Sequence, residues 1–105
     1  MIYMNEEEFE ELRQRLQVET SQKQTLQLQY NELKRTIEEV EKTEDGSELF
    51  QLSGQVLIKK NREEISKELK EKTEIIDFRL KASLKSIDEL TKKLQSMQDS
   101  AKKDN

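Results

Sequence analysis

Only two glycines, Gly46 and Gly54, and no proline occur in this chain, and both glycines lie near its midpoint. Proline deletes a backbone donor and glycine raises the entropy cost of helix, so nothing outside the middle is built to interrupt one. A long helix on each side of one central break, folded back as a pair, follows. Of the 105 residues, 31% are hydrophobic and 40% charged, too little apolar material for a compact globular core. Such a chain is either disordered or concentrates its apolar residues into narrow helical seams, and periodicity decides between the two.

From Phe9 to Val40 the apolar positions alternate spacings of three and four: Phe9, Leu12, Leu16, then Leu26, Tyr30, Leu33, Ile37 and Val40. This is a heptad seam with Glu19 and Lys23 in its two middle slots. A polar pair there either fixes register or is simply tolerated beside solvent. The second helix starts at Asn61, whose side chain can accept from the first-turn amides while Glu64 returns the bond, a variant capping box. Its seam runs Leu69, Thr73, Ile76, Leu80, Ser83, Ile87, Leu90, Leu94 and Met97.

A symmetric fold-back places Val40 toward Arg62, Leu26 near Ile76, Phe9 near Leu94, and Ser83 near Glu19 and Thr20. Helices of roughly 35 residues make arms of roughly 50 Å. Val18, Leu28, Ile65, Ile75, Phe78 and Leu84 lie off the seam, which implies either further neighbours or a broader contact within the pair.

Between the arms, Glu44-Asp45-Gly46-Ser47 supplies turn chemistry, and Leu49 to Leu52 and Val56 to Ile58 are short β-prone runs around Ser53-Gly54. With Ser53-Gly54 as a two-residue loop, Leu52 pairs with Gln55, Gln51 with Val56, Phe50 with Leu57 and Leu49 with Ile58. Phe50, Leu52 and Leu57 then share one face, and Leu49, Val56 and Ile58 the other. An isolated hairpin is marginal in water and leaves two strand edges unpaired. Pairing with hairpins of other chains relieves both problems; the alternative is that the segment folds back on its own arms.

The formal charge of −4 combines 19 basic and 23 acidic residues without a long tract of either sign, which disfavours nucleic acid and anionic membrane as partners. Cysteine is absent, no apolar run approaches a membrane span, and Met1-Ile2-Tyr3-Met4 is too short for a signal peptide, so a soluble cytoplasmic protein is expected. With no histidine, no cysteine and no phosphate-cradling loop, neither an enzyme nor a cofactor or metal site is expected. Glu6-Glu7-Glu8, Glu38-Glu39 and Glu63-Glu64 read as wet helix faces, as do Lys59-Lys60, Lys92-Lys93 and Lys102-Lys103.

The expected fold is therefore mainly α: a long antiparallel two-helix coiled coil joined by one central β-hairpin. Residues 1–43 form the first helix, 44–60 the turn and hairpin, and 61–105 the second helix and tail of a single domain. Helix, single hairpin and helix, with Phe50-Gln51-Leu52-Ser53-Gly54-Gln55-Val56-Leu57-Ile58-Lys59 at the centre, resembles a β-class prefoldin subunit. The runs Gln22 to Glu39 and Glu68 to Leu80 share the resemblance, which covers nearly the whole chain. Phe50 stands where tyrosine is frequent in that family.

The resemblance implies a jellyfish-shaped hetero-hexamer with α-class and other β-class subunits, whose hairpins build a double β-barrel platform. It also implies an ATP-independent co-chaperone that holds unfolded proteins at its coiled-coil tips, prevents their aggregation and delivers them to a group II chaperonin. Mapped onto this chain, the oligomerisation element is Leu49, Phe50, Leu52, Gly54, Val56, Leu57 and Ile58. The client-binding tips are Ile2, Tyr3, Met4, Phe9, Leu94, Met97 and Ala101, with Leu12 and Leu90 beside them. Phe9, Leu12, Leu90 and Leu94 also have the spacing that closes a coiled coil. The alternatives are a structural coiled-coil adaptor for one folded partner and, more remotely, an RNA-binding arm.

Overall fold

The computed structural model describes residues 5–103 in the order α1 (Glu6–Glu41), β1 (Leu49–Ser53), β2 (Val56–Lys60) and α2 (Arg62–Lys103). Each helix begins at an asparagine. The Asn5 side chain accepts from the Glu8 amide at 3.0 Å, and the Asn61 side chain accepts from the Glu64 amide at 2.8 Å. Both caps satisfy a donor that the first turn leaves free. At Asn61 the reciprocal bond is donated by the side-chain amide, rather than by the backbone N–H, to the Glu64 carboxylate at 3.1 Å. Acidic side chains fill both first turns, where they face the positive end of the helix dipole.

The chain divides into two compact units. The first joins the described residues up to Gln27 with those from Arg79 onward. Here the helices run antiparallel: Lys93 Nζ lies 3.6 Å from the Glu8 carboxylate, and Ser83 Oγ lies 3.5 Å from the Glu19 carbonyl. Leu12, Leu90 and Leu94 form its buried cluster, with Phe9, Leu16 and Met97 packed partly against it. Phe9 thus packs against the cluster that contains Leu94, in line with the fold-back, and Ser83 is buried near Glu19 as expected. Glu19 and Lys23 are half-buried while their neighbours Val18 and Gln22 are exposed, so the seam continues through its polar middle.

The second unit, Leu28–Phe78, carries the elbow. Its helix segments are also antiparallel, with Lys70 Nζ at 3.1 Å from Glu41 and the Arg62 guanidinium at 2.6 Å from the Thr43 carbonyl. Tyr30, Leu33, Ile37 and Val40 are all at least half-buried on α1, as are Leu69, Thr73 and Ile76 on α2. The Thr73 hydroxyl satisfies itself on the Leu69 carbonyl at 2.7 Å. Among the described residues no large side chain is completely sealed, as expected when only two helices share a seam. Val18, Leu28, Ile75, Phe78 and Leu84 are exposed, so these off-seam residues do not broaden the contact within either unit.

The hairpin forms, but its register differs from the expected one. Ser53 pairs with Val56, Leu52 with Leu57, Gln51 with Ile58, Phe50 with Lys59 and Leu49 with Lys60, so the loop is Gly54-Gln55. A two-residue hairpin loop needs a positive φ at its first position, which Ser53 tolerates poorly and Gly54 adopts at +61°. No non-glycine residue among those described has positive φ, and this is the pattern of a type II′ turn. The slip moves each partner by two residues, so the face assignment survives unchanged. Ahead of the hairpin, Ser47 N–H donates to the Glu44 carbonyl at 3.1 Å, with Gly46 at φ +84° in the third position of a type II turn.

Candidate assembly and client-contact surfaces

The hairpin is held to the rest of its unit at its base. β2 ends on Lys60, whose ammonium lies 2.6 Å from the Glu68 carboxylate one and a half turns into α2. The hydrogen bond from Lys60 is the main cause that holds the Glu68 carboxyl below its ordinary range, against an opposing desolvation effect and with help from Gln51. Gln51 and Lys60 share a face with Leu49 and Ile58, and Leu49, Gln51 and Lys60 are the half-buried residues of the hairpin. That face therefore inclines toward α2. On the other face Phe50, Leu52 and Leu57 are exposed, Leu52 and Leu57 by 67% and 65%.

At the same elbow, α1 ends without a basic residue in its last turn. Arg62 supplies the missing cation from the start of α2: one guanidinium nitrogen donates to the Thr43 carbonyl and the other pairs with Asp45. The Thr43 hydroxyl donates to the Val40 carbonyl at 2.6 Å, completing the cap. Lys59 and Glu48 pair at 3.3 Å on the surface, an exposed contact of small energetic value.

The hairpin residues expected to assemble, Leu49, Phe50, Leu52, Gly54, Val56, Leu57 and Ile58, thus sit together on one two-stranded sheet. All except Leu49 are exposed. Full burial of each exposed large apolar side chain would contribute about 1.5–3 kcal/mol, much of which is not collected while these hairpin residues stay 43–67% exposed. The residues expected at the tips fall differently. Leu94 is buried with Leu12 and Leu90, Phe9 and Met97 flank that cluster, and Ala101 is half-buried on the last turns of α2. Ile2, Tyr3 and Met4 lie outside the described residues. Sequence reasoning missed the Asn5 cap, although Asn5-x-x-Glu8 repeats the Asn61-x-x-Glu64 spacing. It also missed the pairing of Lys60 with Glu68, for which no local signal exists.

Among the described residues no group of acidic side chains converges as a metal site would require, and no helix is long and apolar enough to cross a membrane. The family model described as "Prefoldin subunit" matches residues 4–104. The chain belongs to the prefoldin subunit family. It is 34% identical over 90 residues to the prefoldin subunit beta of Thermococcus onnurineus, covering 86% of this chain and 78% of that one. With the prefoldin subunit beta of Pyrococcus furiosus it shares 35% identity over 96 residues, covering 85% and 82%. The crystal structure of the prefoldin beta subunit from Thermococcus strain KS-1 superposes with a TM-score of 0.88 at 27% identity, covering 98% of this chain and 96% of that one. The prefoldin match supports a co-chaperone role, in a family of chaperone subunits rather than of enzymes.

Proposed function

We propose that this chain is the β-class subunit of a cytoplasmic hetero-hexameric prefoldin that holds unfolded proteins without ATP and passes them to a group II chaperonin. One observation carries the assembly part of this reading: a hairpin with apolar side chains on both faces and two unpaired strand edges, in a chain that belongs to the prefoldin family. A two-stranded sheet of this kind is marginal alone, and sister hairpins provide what it lacks. Client contact is assigned to Ile2, Tyr3, Met4, Phe9, Leu94, Met97 and Ala101. Because Leu94 is buried, it reaches a client only when the ends of the helices separate. Flexible methionine at Met97 suits a surface that accepts many sequences.

Native mass spectrometry of the chain mixed with an α-class prefoldin subunit tests assembly. Light scattering of several unrelated unfolded proteins, without ATP, tests holding. The expected result is a hexamer that suppresses aggregation and loses that activity, but not its assembly, when the helix ends are trimmed. A complex that assembles yet protects no client is an adaptor, and the reading then fails.

A further inference from the structure

Asp45 is the aspartate of this chain that is followed by glycine, and the Asp45-Gly46 peptide is the central one of the turn between α1 and β1. In such a step the backbone nitrogen can attack the neighbouring side chain. The Gly46 nitrogen bonds to the Asp45 carboxyl carbon, and one carboxyl oxygen leaves as water with the carboxyl proton and the amide proton. A five-membered succinimide ring remains. Solvent water then breaks one of the two C–N bonds of that ring. When it breaks the bond to the original main-chain carbonyl, the backbone runs through the Asp45 side chain as isoaspartate, with unchanged mass and one extra backbone carbon.

Three features of the elbow favour this reaction. The turn bond runs from the Ser47 N–H to the Glu44 carbonyl, so the central peptide stays outside it, and the Gly46 N–H has no acceptor among the described residues. Glycine sets no side chain beside the nucleophile, and open space surrounds the place that a Cβ would take. The Asp45 side chain is 89% exposed, which gives water free passage. Asp77, Asp88 and Asp99 differ in the first two respects. They lie inside α2, where the amides of Phe78, Glu89 and Ser100 donate along the helix and belong to residues that carry side chains.

Arg62 opposes the reaction. Its guanidinium holds the Asp45 carboxylate from one nitrogen and the Thr43 carbonyl from the other. Attack on the carboxyl carbon needs rotation about the Asp45 Cα–Cβ bond and of the central peptide, and the Arg62 contact resists both. We propose that Asp45 is a site of spontaneous isoaspartate formation and that Arg62 restrains it by tethering the carboxylate across the elbow. The modification also removes its own restraint. The extra backbone carbon disrupts the type II turn, and the new carboxylate sits directly on Cα, too short to keep the same contact with Arg62. Conversion at Asp45 thus loosens the end of α1 from the start of α2, directly ahead of the hairpin.

The folded full-length chain is incubated for weeks at near-neutral pH, then mapped by proteolysis with electron-transfer fragmentation, which distinguishes isoaspartate from aspartate at each position. Isoaspartate should accumulate at Asp45 ahead of Asp77, Asp88 and Asp99. Arg62→Ala should raise the rate at Asp45 roughly two- to fivefold, the gain in free carboxylate expected when an exposed ion pair is lost. That variant also loosens the end of α1, so Thr43→Val is the control. It deletes the hydroxyl bond to the Val40 carbonyl but keeps the contacts of Arg62 with the Thr43 carbonyl and Asp45, and it should leave the rate unchanged. Asp45 converting no faster than the helical aspartates overturns the proposal, whether or not Arg62→Ala folds. An unchanged rate in folded Arg62→Ala removes the restraint assigned to Arg62, and an equal rise in Thr43→Val assigns it to the elbow as a whole; either result overturns that part.

Discussion

Ser83 Oγ lies 3.5 Å from the main-chain oxygen of Glu19, 64 residues away in sequence, at the polar middle of the seam. Ser83 is the buried polar residue of the described chain, and among those residues no buried side-chain nitrogen or oxygen lacks a partner. The contact is long for a hydroxyl donor, so it marks the register of the two helices more than it binds them.

Replacing that hydroxyl should therefore change little. Ser83→Ala loses a weak bond and gains helix propensity, for a net effect within about 1 kcal/mol. Thermal denaturation checks this, and a loss well above that range would show that the hydroxyl holds the helices together.

The cluster of Leu12, Leu90 and Leu94 should behave as core and the off-seam apolar residues as surface. Leu90→Ala opens space between two helices and is expected to cost about 2–3 kcal/mol, whereas Phe78→Ala, at a residue 75% exposed, should stay within about 0.5 kcal/mol. Denaturant titration of the isolated chain distinguishes them. Equal losses would mean that Phe78 is covered in solution.

Arg62 is expected to matter more than a surface ion pair, because α1 has no cation of its own at its end. Arg62→Ala should destabilise the elbow by about 1–2 kcal/mol, and Arg62→Lys should restore only part of it, since an ammonium cannot span Thr43 and Asp45 as the guanidinium fork does. Amide hydrogen exchange at Lys42 and Thr43 reports the effect directly. Full rescue by lysine would reduce the contact to simple charge.

The tether from Lys60 to Glu68 should weaken in acid. The carboxyl titrates below its ordinary value of 4.5 in the folded chain, so the unfolded chain takes up its proton first as pH falls. The stabilisation is present above the ordinary glutamate range and is lost as pH drops through the lowered folded value. A carboxyl NMR titration should place the Glu68 midpoint below 4.5 and return it toward that value in Lys60→Met. An unmoved midpoint in that variant would assign the shift to another group.

Gly54 should resist replacement for a backbone reason alone. Open space surrounds the position of a Cβ there, yet its φ is +61°. Gly54→Ala is expected to cost about 1–2 kcal/mol through strain in the left-handed region, read as faster exchange at Val56, while Gln55→Gly should be milder. Equal effects would argue against a type II′ turn.

Local rules carried most of this fold. Helix seams, the Asn61 cap, the turn at Gly46 and the alternation of faces on the hairpin follow from periods and dihedral preferences that a few neighbouring residues set, and all could be read along the chain. Even Ser83 against Glu19 followed, because two helices of similar length about one break leave few registers. Three features lay beyond that reach. Whether the loop was Ser53-Gly54 or Gly54-Gln55 hung on the sign of one φ, and both choices kept the same faces. Arg62 on Thr43 and Lys60 on Glu68 join residues whose approach is decided only when the elbow closes. Leu94, apolar and near a helix end, is as compatible by sequence with an open tip as with the buried position it takes beside Leu12. Periodicity states which side of a helix is apolar; what covers that side depends on the partner, and only three-dimensional packing supplies it.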